Sequence, residues 1–255
     1  MAKKKVKLKD NDFFNEKKLN TIMKRFLNTK KTDPEETKWY YVENNVNFYA
    51  TSLGASIEIA FQNRFENSYN KGDGENFFVQ PAKETIVADY IPEMVEVGKG
   101  KNKETLPTGH SIPFPDVKGL FKKYDPKNYK RILVDEDFIS EMISFHESLV
   151  SFLKLGGNYA TAKISANGNK LIFGVHDIKG MKNFKYEYEF KGDCFEVETE
   201  PFYYNPEYVV AILKALKDLK VNKTIMYFNA KDPILFYGKT IDYIYKFAFN
   251  KKLVR

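Results

Sequence analysis

Tyr204-Asn-Pro-Glu-Tyr-Val-Val-Ala-Ile-Leu-Lys-Ala-Leu-Lys217 and Tyr243-Ile-Tyr-Lys-Phe-Ala-Phe249 are the two stretches of sequence that decide the fold. In the first stretch, apolar residues recur every three or four positions, which predicts an amphipathic helix over residues 207–219. Asn205 is placed to cap this helix, and Pro206 occupies its first position. The second stretch predicts a strand, and it follows two more predicted strands. The chain therefore ends as one helix followed by three strands.

The same order of elements recurs upstream. A helix is predicted over residues 12–27, with Asp12 or Asn15 as its cap, and a second helix over 137–153. A hairpin is predicted around Asn167-Gly168. Predicted strands cover residues 1–9, 38–43, 46–51, 56–61, 77–79, 129–134, 158–164, 170–175, 184–190, 194–200, 221–228, 234–237 and 243–249. This order indicates an α+β protein with antiparallel sheets and a few isolated helices.

One part of the sequence resists assignment. Residues 86–97 fit neither element clearly, because Pro92 interrupts any helix there. Residues 98–104 are predicted as a basic loop, and the proline- and glycine-rich residues 113–121 as the approach to a connection between domains.

The composition excludes several classes of protein. A chain of 255 residues, 43% of them apolar, can form two ordinary domains. Its single cysteine, Cys194, excludes an internal disulfide and a cysteine-based zinc site, and it fits a reducing cytoplasm. The sequence lacks an apolar run of about eighteen residues, so no membrane span is predicted. The net charge of +7 permits a polyanionic partner, although a solvated lysine-rich surface would give the same excess.

Several segments, in order and spacing, resemble the bacterial sliding clamp, the DNA polymerase III beta subunit. Phe114-Pro-Asp116 resembles that family's connection into its last domain, and Lys130-Arg-Ile-Leu-Val-Asp-Glu-Asp-Phe-Ile-Ser140 resembles the strand and helix start that follow. The helix and the final strand quoted at the outset resemble the end of that domain. Tyr49-Ala-Thr-Ser-Leu-Gly-Ala-Ser-Ile57 resembles a strand of the preceding domain, where the family's Asp-Gly-His-Arg is replaced.

The resemblance implies two DNA-clamp-like domains, residues 1–120 and 121–255. It implies a processivity factor that encircles duplex DNA, without catalytic residues, metal or cofactor. Two-domain subunits would close as a homotrimer by pairing sheet edges. The partners would be double-stranded DNA, a DNA polymerase and a clamp loader, the last two docking through short peptide motifs. The shortened form suggests a phage or mobile-element clamp in the cytoplasm of a bacterium or of a phage-infected cell.

A clamp needs a channel with positive potential but without a tight grip on phosphates. Basic residues opposite the apolar stripes of the first and last helices would supply this potential, and a solvated helix face is the alternative explanation. The candidate DNA-contacting residues are Lys17, Lys18, Lys24, Arg25, Lys214, Lys217 and Lys220. Glu141 and Glu147 show that the helix at 137–153 does not share this character.

The resemblance also implies a groove between the domains that binds partner peptides. The residues that match the family's groove are Thr51, Leu53, Ile57, Pro115, Leu120, Ile244, Tyr245 and Phe247. Ordinary core packing is the alternative explanation for all of them.

Two other functions remain open at this point. The first is a phage nucleic-acid-binding or structural protein that forms no ring. The second is a metal-dependent nuclease using the acids at 135–137 or the histidines His110, His146 and His176. Acids at a helix start more often cap the helix and complement its dipole, and His146 lies on an apolar helix face.

Overall fold

Both halves of the chain contribute strands to one large antiparallel sheet. The computed structural model describes residues 15–30, 32–65, 76–81, 86–98, 100, 103–124, 129–155, 160–177, 185–190, 199–229 and 231–252. The predicted strands at 1–9 and 194–200 lie outside these ranges, apart from residues 199 and 200, which are in no strand.

The first half consists mainly of short strands. Its elements are α1 (Glu16–Lys24), a 3-10 helix (Glu35–Lys38), β1 (Tyr40–Glu43), β2 (Asn47–Thr51), β3 (Ala55–Phe61), β4 (Phe77–Gln80), β5 (Ile86–Ala88), β6 (Ile91–Val97), β7 (Glu104–Ile112) and α2 (Val117–Lys123). The predicted domain boundary between residues 120 and 121 falls within α2, a helix that was expected to be an irregular connection.

The second half contains two units of the predicted strand–helix–three-strand kind. The first is β8 (Lys130–Asp135), α3 (Glu136–Leu155), β9 (Ala160–Asn167), β10 (Lys170–Asp177) and β11 (Lys185–Glu189). The second is β12 (Phe202–Tyr204), α4 (Pro206–Asp218), β13 (Lys223–Phe228), β14 (Ile234–Lys239) and β15 (Tyr243–Phe249). The sequence did not predict β12, which pairs with β9.

The nine-stranded sheet has the order β5-β4-β1-β2-β3-β15-β14-β13-β8. Its two halves meet where β3 pairs antiparallel with β15, from Tyr243 opposite Phe61 to Phe249 opposite Ala55. We call this pair of strands the seam. A four-stranded sheet, β11-β10-β9-β12, belongs entirely to the second half, and β6 and β7 form a separate two-stranded ribbon.

The two faces of the large sheet carry different helices. Side chains alternate between the faces along each strand. On one face, Phe247, Ile57 and Phe48 are buried in the main core with residues of α1, α3 and α4; we call this the core face. On the other face, Tyr227, Leu235 and Ala248 pack with residues of α2, including Leu120 and Phe121; we call this the α2 face.

Local sequence accounts for the helix starts. The Asn15 side chain accepts a hydrogen bond from the Lys18 amide at 3.0 Å, and the Asn205 side chain accepts one from the Glu207 amide at 3.0 Å. Pro206 needs no amide partner at the first position of α4. The predicted caps Asn15 and Asn205 are confirmed, and Asp12 lies outside the described residues.

The segment that resisted assignment contains strands and no helix in its described residues. Pro92 lies in β6, where the register with β7 shifts between Pro92 and Met94. A proline is tolerated there because β6 and β7 form a ribbon with free outer edges. Val95 and Leu106 face each other across the ribbon and are 39% and 46% exposed. The sequence pattern was unreadable because most side chains of the ribbon are exposed, Ile91 being the buried exception, so burial imposes little alternation.

His146 lies at the centre of the second half, on α3. The Met142 carbonyl can only accept, so Nδ1 of His146 carries the proton and donates to it at 2.7 Å. Nε2 then accepts from the Tyr204 hydroxyl at 3.0 Å. Burial lowers the pKa of His146 to about 4, although the bond to Met142 acts in the opposite direction. The ring is therefore neutral in the folded state, and protonation requires unfolding or local opening.

We expect the free energy of unfolding to fall as the pH drops from about 6.5 to about 4 because of His146. The unfolded chain binds a proton near pH 6.5 while the folded chain does not, so acid favours unfolding across this window. The full loss is about 3 kcal/mol. Urea unfolding of the wild type and of His146→Gln at several pH values measures it. Identical pH dependence in both proteins would contradict the assignment.

Candidate DNA-facing and peptide-binding surfaces

Helices from both halves meet on the core face of the sheet. The Arg25 guanidinium, just after α1, pairs with the Asp218 carboxylate at the end of α4, with Nη2 2.7 Å from Oδ2. The neighbouring Phe26 ring stacks on Phe247 of β15 with 5.6 Å between centroids. These contacts bridge the seam, so α1 and α4 are held side by side.

The structure brings the basic residues of α1 and α4 together. Burial lowers the pKa of Lys18, and the nearby positive charge of Lys220 lowers it further, whereas Asp218 acts in the opposite direction. Among the seven candidates, Lys17, Lys24, Lys217 and Lys220 are exposed, whereas Lys18, Arg25 and Lys214 are partly buried. The cluster combines residues nearly two hundred positions apart in the sequence.

Acidic partners offset the candidates Arg25 and Lys214. Arg25 is paired with Asp218, and Lys214 is paired with Glu147 of α3. These pairs position the helices and reduce the positive potential nearby. The exposed lysines Lys17, Lys24 and Lys217 are therefore the better candidates for contacting a polyanion.

Helix α3 presents a different surface. Its exposed serines donate to the carbonyls one turn back, Ser144 to Ser140 at 3.4 Å and Ser148 to Ser144 at 3.0 Å. Glu141 accepts a hydrogen bond from the Tyr186 hydroxyl. The exposed side of α3 thus carries acidic and hydroxyl groups, and its Glu147 and Lys154 pair with Lys214 and Glu207 of α4.

On the α2 face, an ion pair crosses the seam. Lys246 of β15 contacts both carboxylate oxygens of Glu58 of β3, at 3.0 and 2.9 Å. The two residues are direct cross-strand partners. The Lys246 ammonium also lies 5.9 Å from the centroid of the Phe121 ring of α2. Helix α2 is therefore seated across the junction of the two halves.

The residues predicted for the peptide groove divide between the two faces. Leu53 is 49% exposed in the turn after β2, where its φ is 67° and its carbonyl accepts from the Asn250 side chain at 2.7 Å. Pro115, Leu120 and Ile244 are partly buried. Thr51 is buried and hydrogen-bonded to Ser56 at 2.9 Å.

The other three predicted groove residues lie in the main core. Ile57, Tyr245 and Phe247 are at most 1% exposed and point to the core face. A peptide on the α2 face cannot reach them in this arrangement. These groove residues were assigned from their positions along β3 and β15. Because alternate side chains of a strand point to opposite faces of the sheet, such an assignment includes residues that face the core.

An aromatic pocket opens on the α2 face of the first half, beside the start of α2. Its volume is about 470 Å³. The rings of Tyr41, Phe78 and Phe114 are in mutual contact, with centroids 5.0 to 5.9 Å apart, and Tyr49 lies 6.0 Å from Tyr41. Asn76, Asp89, Pro115, Asp116, Val117 and Lys118 complete the lining.

Sequence reasoning found only Pro115 of this aromatic pocket. Tyr41, Tyr49 and Phe78 lie on three neighbouring strands, and Tyr41 is opposite both of the others. The two-residue period of each strand could therefore have placed them on one face of the sheet. Periodicity could not have shown that α2 leaves this part of the face open.

A charged network borders the aromatic pocket. Lys118 contacts both oxygens of Glu43, at 3.0 and 3.1 Å, and the Tyr49 hydroxyl donates to Glu43 at 3.2 Å. Burial would raise the pKa of Glu43, but the bonds from Lys118, Asn47 and Tyr49 outweigh it and hold the pKa below its usual value. The Glu43 carboxylate is therefore ionised and paired with Lys118.

The residues considered for nuclease chemistry do not converge where their side chains are described. Asp135 accepts from the Phe138 amide at 3.0 Å and so caps α3, His110 is exposed on β7, and His146 is buried. The side chain of His176 lies outside the description. Among the described residues, no three acidic, histidine or cysteine side chains come close enough to hold a metal ion. Within the same ranges, no helix has the length and apolar character that crossing a bilayer requires.

Comparison with known proteins bears on the fold. Neither a protein-family model nor a curated protein sequence matches the chain. Solved beta clamps match it closely in structure. DNA polymerase III subunit beta from Borrelia burgdorferi superposes with a TM-score of 0.60 at 11% identity, covering 94% of this chain and 62% of that one.

Two further structures give the same result. The Helicobacter pylori beta clamp bound to a DNA ligase peptide has a TM-score of 0.56 at 13% identity, covering 92% of this chain and 62% of the clamp. A putative beta subunit from Eubacterium rectale has a TM-score of 0.53 at 10% identity, covering 93% and 64%. This chain thus spans less than two thirds of the length of these proteins. The α+β arrangement expected from the sequence is confirmed, and the chain has the DNA sliding-clamp fold.

Proposed function

We propose that this chain is a sliding clamp, a non-catalytic processivity factor that encircles duplex DNA. The observation that carries the proposal is the seam: two clamp-like halves are joined edge to edge by β3 and β15, and α1 and α4 lie together on one side of the junction. Repetition of this junction around a closed ring would put such helices on the inside and sheets on the outside.

The internal repeat supports a particular edge for ring closure. At the seam, β3 and β15 are each the third strand after a helix, α1 and α4 respectively. β11 is the third strand after α3 and stands at the edge of the four-stranded sheet. An edge strand offers unpaired amide and carbonyl groups to another chain. We propose that β11 pairs with the first half of a neighbouring copy, and that three copies make a six-domain ring.

Contact with DNA would fall to the lysines on α1 and α4. Exposed side chains such as Lys17, Lys24 and Lys217 would attract the phosphate backbone without fixing a register, as sliding requires. The Arg25–Asp218 pair would hold the two helices in place beneath the DNA.

Tethering of a polymerase and a clamp loader through short peptides would use the α2 face. The Helicobacter pylori clamp with its bound ligase peptide supports this mode of attachment. In this chain, the surface residues Leu53, Pro115, Leu120 and Ile244 are the proposed contacts. The same proposal places the protein in the cytoplasm of a bacterium or of a phage-infected cell. It also gives the protein a phage or mobile-element origin.

The proposed ring has a defined mass. We expect light scattering on the purified chain to give about three times 29.7 kDa, at low and moderate salt alike, because pairing of sheet edges depends little on ionic strength. A mass of one chain at every concentration would contradict self-assembly into a ring.

Reversing two charges on α1 should weaken DNA association. For the double variant Lys17→Glu and Lys24→Glu, we expect affinity to depend less steeply on salt. The slope of log affinity against log salt should become smaller in magnitude by about two, because two phosphate contacts are lost. The matched control is Lys122→Glu with Lys123→Glu, which changes two exposed lysines of α2 on the opposite face of the sheet. Equal effects of the two variants would show that DNA does not select the α1 surface.

A further inference from the structure

A groove lies on the core face of the first half, on the side of the sheet away from the seam. It runs between the end of α1, the 3-10 helix and the ribbon of β6 and β7, and its volume is about 910 Å³. Gln80 of β4 and Pro81 are buried at its floor, and β4 is three strands away from β3. Leu27, Met94 and Ile112 add apolar side chains to its walls. We call it the α1 groove.

A buried acceptor at the floor of the α1 groove has no donor. The Glu35 carboxylate, which is paired with Lys38, can only accept, so the amide nitrogen of Gln80 faces it and donates at 3.3 Å. This orientation leaves Oε1 of Gln80 without a hydrogen bond in the described part of the chain, although the residue is only 4% exposed. A buried acceptor without a donor is costly, so a hydroxyl or amide group that enters the groove would be favoured there.

The two long walls of the α1 groove differ in charge. Lys24 and Lys30 are exposed on the α1 wall, and neither side chain forms an ion pair within the described residues. On the ribbon wall, Glu96 is paired with Lys103 at 3.1 Å, and Glu93 is exposed. The two ammonium groups on the α1 wall favour an occupant that carries carboxylates on the side facing α1.

The free flank of α3 has chemistry that complements this groove. Residues at three- and four-residue spacing lie along one side of a helix. On α3 one such row consists of Asp137, Glu141, Ser144, Ser148 and Phe152, all of them exposed. It is not the flank that meets α4, because Glu147 and Lys154 make that contact. The row adjoins β11, since the Tyr186 hydroxyl donates to Glu141.

The seam shows how a third strand and its helix pack together. β3 and β15 pair edge to edge, and the helices that precede them meet on the core face through Arg25 and Asp218. Pairing of β11 with the first half of a neighbouring copy would bring α3 onto the core face of that copy in the same way. There, one side of α1 is already occupied by α4, whereas Lys24 and Leu27 at its end border the α1 groove.

We propose that the α1 groove receives α3 of a neighbouring copy of this chain. The acids of α3 face Lys30, Phe152 packs beside Leu27, and a serine hydroxyl donates to Oε1 of Gln80. This inference rests on the proposed function, because it names the surface of the first half at which the ring closes. The contact joins two different surfaces, so the copies assemble head to tail, and a closed ring leaves neither surface empty.

Site-directed cross-linking of the full-length chain tests the contact. In a Cys194→Ser background, Thr29→Cys places a thiol on the wall of the groove and Ser144→Cys places one on the free flank of α3. With a short bismaleimide, we expect a chain carrying both changes to form covalent dimers and trimers on a denaturing gel. Chains carrying either change alone should remain single, because the contact joins two different surfaces. The control combines Ser144→Cys with Lys122→Cys on α2, and it should remain single as well.

Charge reversal tests the complementarity of the two surfaces. Lys30→Glu should weaken self-association about fivefold at low salt, and Asp137→Lys in the same chain should restore it, because opposite charges face each other again. Lys30 is the residue to change because Lys24 is also a candidate DNA contact. Lys122→Glu is the charge-matched control and should leave self-association unchanged. Light scattering over a range of concentrations measures the effect, and further weakening by the second change would contradict the proposal.

These outcomes separate the groove contact from the ring itself. A trimer mass without cross-links between the two cysteine positions would overturn the groove contact and leave the ring standing. A chain that remains monomeric and uncross-linked would contradict both. Cross-linked chains that do not encircle DNA would uphold the contact and contradict the clamp. Thermal melting identifies any charge variant that lost assembly by unfolding, and the cysteine variants at exposed positions then carry the test.

Discussion

The antiparallel pairing of β3 with β15 is the interaction on which the rest of the structure depends. Seven registered residue pairs join strands almost two hundred positions apart, and they turn two short sheets into one of nine strands. The seam is reinforced on both faces: Phe26 stacks on Phe247 on the core face, and Lys246 pairs with Glu58 on the α2 face. Without the seam, α1 and α4 would be related only by side-chain contacts such as the Arg25–Asp218 pair, and α2 would have no continuous sheet to cross.

The seam also gives the two faces of the large sheet different surroundings. On the core face it gathers basic residues of α1 and α4, with Arg25 and Asp218 fixing their spacing. On the α2 face, the aromatic pocket opens beside β1, β2 and β4, and the exposed side chains include lysines of α2. A polyanion would be attracted to the basic residues of α1 and α4.

Much of the fold could be predicted because local signals were strong. Asn205 and Pro206 defined the start of α4, and the apolar stripe of residues 207–219 defined its buried face. The ribbon of β6 and β7 could not be predicted, because its exposed strands carry no alternation. The candidate DNA-facing and peptide-binding surfaces were predicted less well than the fold. The basic residues of α1 and α4 do come together, but Ile57, Tyr245 and Phe247 face the core, and the aromatic pocket was missed. The face to which a side chain points depends on strand register, and the opening of the pocket depends on where α2 begins. Neither is a local property of the sequence.

Retention on end-blocked DNA tests the proposed topological link between the ring and duplex DNA most directly. Protein is mixed with a linear duplex carrying biotin at both ends, streptavidin is added to block the ends, and the complex is passed through a sizing column at moderate salt. A ring that threads onto free ends should be retained after blocking and lost after a restriction cut between the blocks, because salt weakens ionic contacts but not a topological link. Equal retention with open and blocked ends would contradict encirclement.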